Sequence, residues 1–174
     1  WLITVTAAAG GMPVIGPLFT LAWMIIHLRL VGADRGIELR LIGAAVLLGA
    51  ACDSLLAVFG VIAFPEQSLL GQPTTLWMVT LWVNLAMTLR HSLGWLRGRY
   101  LLAAVLGAVA GPLAYLGGER LGGIIFPSGH SALALVALEW LTAMPALMVV
   151  TRWSEALAAR PTTAAAEAGY DRAG

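Results

Sequence analysis

The sequence predicts an all-α fold: a polytopic transmembrane helical bundle of about six spans, the first truncated, joined by short loops. Three observations lead there. The 174 residues are 60% hydrophobic and 11% charged, with mean hydropathy +0.87, against about 45–50% and about 25% in soluble domains. A soluble chain of this make-up lacks the polar surface to cover itself. Apolar runs of near-spanning length recur, separated by Gly/Pro or charged turns, and the basic residues gather in alternate turns.

Residues 1–9 are too few to cross a bilayer, which takes about 20 residues in a helix. They are expected to be the tail of a first span that begins upstream, without a signal peptide. Gly10, Gly11, Pro13, Gly16 and Pro17 break that run. A second span is expected over about 14–30, with His27 and Arg29 near its end, where a long side chain reaches the headgroups. The loop 31–40 carries Asp34, Arg35, Glu38 and Arg40. A third span over about 39–64 contains Asp53 and the single cysteine, Cys52, which can form no internal disulfide. A turn over 65–74 leads to a fourth span, about 75–96, then the basic turn Arg97-Gly98-Arg99 and a fifth span, about 100–116. A glycine-rich loop with Glu119 and Arg120 precedes a sixth span, about 131–150. Residues 1–152 thus form one transmembrane domain, and 153–174 a polar, alanine-rich tail.

All ten basic side chains are arginine. Arg29, Arg35 and Arg40, then Arg97 and Arg99, then Arg152, Arg160 and Arg172 fall on one side of a six-span chain; the other side has Arg120. The positive-inside rule places the C-terminus on the cytoplasmic side. Trp77, Trp95 and Trp153 sit at expected span ends, as an aromatic belt would, and Trp82 and Trp140 lie deeper, between helices. Gly107 and Gly111 form a small-xxx-small pattern that lets another helix approach the fifth span, and Pro112 should bend it.

Polar groups at bilayer depth are the candidates for chemistry, because lipid makes them expensive. They are Asp53, Asn84, Arg90 with His91, and Glu139. At ~1.5 Å per residue, Asp53, Asn84 and Glu139 each lie roughly 20 Å from the arginines at their own span ends, so they share one depth. Asp53 should point into the bundle and reach Asn84 or Arg90. One reading is a polar binding pocket or proton-coupled path; the other is a structural cluster joining spans three, four and six. His27, His91 and His130 sit on three segments with no metal-ligand spacing, and no metal or other cofactor is expected. The net charge of +1, without a basic stripe, excludes a nucleic-acid partner. Membrane lipid and other membrane-protein subunits are the expected partners.

Pro127-Ser128-Gly129-His130-Ser131 resembles the central motif of the phosphatidic-acid phosphatase and haloperoxidase superfamily, in which that His is an acid. The Lys of that superfamily's first motif and the nucleophilic His of its last are absent here. Without the nucleophile no phosphoenzyme forms. The motif reads instead as a helix start, with Pro127 setting the turn and Ser128 or Ser131 as cap.

Ser92-Leu93-Gly94-Trp95-Leu96-Arg97-Gly98-Arg99, then Gly107, Gly111-Pro112-Leu113-Ala114-Tyr115 and Arg120-Leu121-Gly122 make a combination. With Glu38-Leu39-Arg40-Leu41, Asp53-Ser54-Leu55-Leu56, Gly60 and Leu81-Trp82 it resembles the bacterial membrane family catalogued as domain of unknown function 2878. The resemblance runs from about residue 16 to 152 and carries over no catalytic residue. It implies a multi-pass inner-membrane protein associated with membrane-lipid modification. The expected function is a non-catalytic accessory subunit or lipid-binding partner of a membrane complex. A small transporter or lipid-handling protein built on the polar cluster and a lipid-modifying enzyme are the alternatives.

Overall fold

In the computed structural model, which describes residues 1–65 and 73–159, the chain is an all-α bundle. Six α-helices follow one another: α1 (Leu2–Ala9), α2 (Ile15–Leu30), α3 (Arg35–Val58), α4 (Leu76–Leu89), α5 (Tyr100–Arg120) and α6 (Leu133–Ala158), with 3-10 turns at Gly32–Asp34, Gly94–Leu96 and Gly129–Ala132. The helices through α3, α5 and α6 are long and apolar enough to cross a bilayer. α2 and α4, with 16 and 14 residues, are about 24 and 21 Å long and fall short of a hydrocarbon core of about 30 Å. Six helices form, as expected, and three of them are by length and composition full membrane spans. Leu47 of α3 and Leu101 of α5 are each at least 75% exposed. Aliphatic faces of that kind need lipid rather than water around them, and the chain is a membrane protein.

Local signals explain the helix ends. Pro17 lies in the first turn of α2, where its missing N–H is no loss. Thr75 caps α4 by accepting from the Met78 N–H. Gly98, at φ +75°, lets the basic turn reverse the chain before α5. The caps expected at α6 are not made: Ser131 Oγ donates to the Ser128 carbonyl, and a 3-10 turn leads into the helix. α6 runs to Ala158, past the expected boundary at 152, and brings Ser154 and Glu155 into the bundle; residues 160–174 lie outside the described part, as does Glu66.

α5 packs on α6, α3 on α4 and α6, α2 on α4, and α1 on α2. The α2–α3 turn, the end of α4 and the end of α6 meet at one end, the arginine-rich end, where Arg40 Nη2 donates to the Ser154 carbonyl. At the opposite end the chain after α3 and the chain after α5 pair through an antiparallel bridge between Ala63 and Ile125, both bonds 2.8 Å. Under that bridge Val5, Ile62, Phe64, Trp77 and Phe126 form one apolar cluster. Trp77 is 2% exposed there, so it belongs to the core and not to the expected belt, whereas Trp95 and Trp153 face outward. A second cluster around Ala45, Trp82, Ala86, Met144 and Leu147 fills the middle and the arginine-rich end.

Four residues from four helices form a layered stack at the centre. Trp82 of α4 and Trp140 of α6 lie face to face, centroids 4.8 Å apart and 13° from parallel. A Cβ on Gly49 of α3 would fall 2.1 Å from the Trp82 ring, and one on Gly111 of α5 would fall 2.2 Å from that of Trp140. A Cβ on Gly107 would fall 2.3 Å from the Trp140 carbonyl. The two glycines of the fifth helix thus receive α6, and Pro112 sits inside a helix that continues for eight more residues.

Substituting alanine in an exposed helix position in place of glycine gains about 1 kcal/mol of propensity, yet an overpacked core loses about 1–3 kcal/mol. Gly49→Ala and Gly111→Ala are therefore expected to lower the thermal unfolding midpoint of the detergent-solubilised protein. Gly43→Ala, with open space around it, should raise it or leave it unchanged. A midpoint unmoved by either of the first two variants would contradict the stack.

Candidate functional site

The buried stripe of α3 reads Glu38, Leu41, Ile42, Ala45, Gly49, Asp53 and Leu56, at helical spacing of three and four. It places one carboxylate at each of two levels. Asp53, fully buried, lies one turn beyond Gly49. The Trp82 indole that covers Gly49 therefore reaches it, donating Nε1–H to Oδ2 at 2.7 Å. Tyr115, one turn beyond Gly111, donates its hydroxyl to Oδ1. Glu139 sits within electrostatic reach of Asp53, its two oxygens enclosed and without a hydrogen-bond partner among the described residues.

Glu38, the second carboxylate, is 0% exposed at the arginine-rich end. Arg90, just past the end of α4, donates Nη1 to Glu38 Oε1 at 2.9 Å, Nη2 to Asp34 Oδ2 at 2.9 Å and Nε to Glu155 Oε1 at 3.1 Å. One guanidinium thereby ties α3, the α2–α3 turn and α6 to α4, in the fork geometry that an ammonium cannot reproduce. Burial works against its charge, but the bonds to Asp34, Glu155 and Glu38 outweigh burial and raise its pKa above the ordinary arginine value. Its position also suits the negative end of the α4 dipole. Two imidazoles complete the group: His27 Nε2 lies 3.1 Å from Glu38 Oε2, and His91 Nε2 lies 3.3 Å from Oε1.

The residues read as one polar cluster are thus divided. Asp53 points into the bundle and contacts α4 as expected, but through Trp82 and not through Asn84 or Arg90. Arg90 and His91 belong to Glu38, about four turns from Asp53 along α3. Spacing alone could not choose between the two acids for Arg90; geometry did, because Arg90 ends α4 while Asp53 faces its middle. Glu38, His27, Trp82 and Tyr115 are the polar partners that the sequence reading did not single out. The signal for Glu38 was present, since the inward stripe of α3, extended toward its start, lands on it. His130, in the loop motif, meets Glu119 Oε2 at 2.9 Å at the exposed opposite end, far from these groups in the fold.

Asn84 has a different place. α4 packs on α1, α2 and α3, and between it and α5 runs a cavity of about 240 Å³. One face of α4 lines it from Trp77 through Leu81, Asn84 and Leu85 to Thr88, a length of about 16 Å. Tyr115 and Gly118 of α5 stand opposite, and Trp140 forms part of the wall. The Thr88 hydroxyl is spent on the Leu85 carbonyl, whereas the Asn84 amide makes no hydrogen bond to the described residues. The Tyr115 hydroxyl of this lining is spent on Asp53, and the arrangement can hold an elongated apolar molecule and orient it with one amide.

A family model described as protein of unknown function (DUF2878) matches residues 1–146. No curated protein and no solved structure matches the chain.

Removing Arg90 leaves a fully buried carboxylate without its cation, a loss of about 3–5 kcal/mol when a buried pair is broken on one side. Arg90→Leu should therefore unfold at clearly lower temperature in detergent, and Arg90→Lys should recover only part of the difference. Wild-type melting of Arg90→Leu would contradict the assignment. At the other level, Asp53→Leu leaves two donors unsatisfied, about 1–3 kcal/mol each. The loss should shrink when Trp82→Phe and Tyr115→Phe are already present, a coupling that a double-mutant cycle on thermal stability measures. Additive losses would mean that these bonds do not hold Asp53.

Proposed function

We propose, from the premise that this chain belongs to the family described as protein of unknown function (DUF2878), that it is a non-catalytic lipid-binding protein of the bacterial inner membrane. Its ligand is an acyl chain of a membrane lipid, and the partner it serves is a membrane complex that acts on or contains that lipid. The observation that carries this reading is the elongated cavity between α4 and α5, apolar along most of its length. Leu81 and Leu85 supply the apolar wall, the indoles of Trp77 and Trp140 bound it, and Asn84 offers a hydrogen bond to an ester or other polar group. Small-molecule sites combine a mostly apolar lining with a few polar groups in this way. The distribution of arginine, with Arg35, Arg97 and Arg152 toward one face, supports a cytoplasmic C-terminus.

A second reading rests on Glu139. A carboxyl enclosed beside Asp53 without a partner is the kind of group that proton-coupled carriers use. It would make the protein a small transporter, with Glu139→Gln folding normally and abolishing uptake in vesicles.

The lipid reading is tested with the full-length protein in native membranes containing phospholipid that bears a photoactivatable group in its acyl chain. Cross-links are expected to concentrate on the facing surfaces of α4 and α5, and Leu85→Trp, which fills the cavity, should reduce them severalfold. Cross-links spread evenly over the outward faces of α3, α5 and α6, and unaffected by Leu85→Trp, would refute it.

A further inference from the structure

We propose that His27, Glu38 and His91 form a site for one divalent transition-metal ion at the arginine-rich end of the bundle. It stands on different residues from the lipid cavity. Three helical segments converge there: His27 is in the last turn of α2, Glu38 in the first turn of α3, and His91 just beyond α4. Both imidazoles direct Nε2 at the same carboxylate, at 3.1 and 3.3 Å. The rings meet edge to face, centroids 5.3 Å apart. The three donor atoms all lie within 4.8 Å of one another.

Metal–nitrogen and metal–oxygen bonds of about 2.0–2.2 Å bring the ligand atoms of one zinc-like ion to within about 4 Å of each other. In a tetrahedral set those atoms lie about 3.3–3.6 Å apart, so the widest pair, at no more than 4.8 Å, closes by about 1.2–1.5 Å, and His91, whose side chain is 48% exposed, has room to turn. In the tautomer with the ring proton on Nδ1, each imidazole presents a free Nε2 to the ion, which takes the place of the hydrogen bond to Glu38.

The donor set selects the class of ion. Two imidazoles and one carboxylate suit zinc, iron(II), cobalt(II) or nickel(II); magnesium and calcium prefer all-oxygen sets. Glu38 is also held from behind, because Arg90 occupies Oε1 and is itself fixed by Asp34 and Glu155. That is the outer shell a ligating carboxylate ordinarily has, and it leaves Oε2 for the ion. Among the described residues three protein ligands converge, and His91 and Asp34 face outward. The fourth position is therefore open to water, as in exchangeable or catalytic sites and unlike closed structural ones.

The test uses the full-length protein in detergent, freed of metal by chelator and gel filtration, and titrated with cobalt(II). A visible ligand-field band that saturates at one ion per chain is expected, displaced by zinc(II) and not by magnesium(II). Loss of an outer-shell partner alone weakens metal sites about 10–100-fold, so His91→Ala and His27→Ala should weaken binding by about tenfold or more. His130→Ala, at the other end of the bundle, should not. His91 is half exposed, so His91→Ala is expected to remain folded, checked by circular dichroism and gel filtration, and decides the matter if Glu38→Gln or His27→Ala does not fold. Absence of a saturable band, or a band unchanged in His91→Ala, overturns the proposal. Lipid cross-linking is read separately and does not depend on this result.

Discussion

Trp82 meets three demands at once: its ring lies over Gly49, stacks on Trp140 and donates its N–H to Asp53. None of the three can be moved alone. A side chain on Gly49 would push the indole off α3 and pull its nitrogen from the carboxylate. Without the carboxylate, the indole N–H would be buried in an apolar layer unpaired, at a cost of about 1–3 kcal/mol. Without Trp140, the outer face of the ring would look into the cavity. Because Trp140 rests in turn on Gly111, the positions of α3, α4, α5 and α6 are set by one aromatic stack. Lipid supplies no hydrophobic drive between helices, so close packing and internal hydrogen bonds must hold a membrane bundle together. This stack uses both.

The same constraint explains the division of polar groups. A polar atom at bilayer depth must be satisfied within the protein or face a cavity. Asp53 is satisfied by an indole and a phenol, neutral donors that avoid placing an arginine in the middle of the bundle. Arg90 is used at the end of α4, where three acids from neighbouring segments and the helix terminus favour its charge. The short α4, 14 residues long, is what puts Arg90 at the level of Glu38 and Glu155 and leaves the bundle middle to tryptophan.

The space beside α4 follows from the stack. Two indoles hold α4 and α6 at ring thickness, while α5 is drawn to α6 through Gly107 and Gly111 and stays away from α4. The gap between α4 and α5 is the cavity, and Asn84 faces it because it lies two residues beyond Trp82, around the helix from the Asp53 contact. The proposed lipid site and the packing of the core are thus two sides of one arrangement.

Composition, the six apolar runs and the Gly/Pro/Arg turns by themselves determined the fold class, the membrane setting and the helix order, since each depends only on local hydropathy and turn chemistry. The close approach at Gly107 and Gly111 and the depth of Trp82 and Trp140 were legible for the same reason: small residues at i and i+4, and aromatics far from span ends. What only the tertiary structure decided is pairing. Asp53 and Glu38 lie on one stripe of α3, and both could accept Arg90 as far as spacing along the chain can tell. Helix rotation and the length of α4 made the choice, bringing Trp82 and Tyr115 to one acid and Arg90, His27 and His91 to the other. His27 and His91 are 64 residues apart, and no local pattern records that two chain reversals bring their rings together over the same carboxylate.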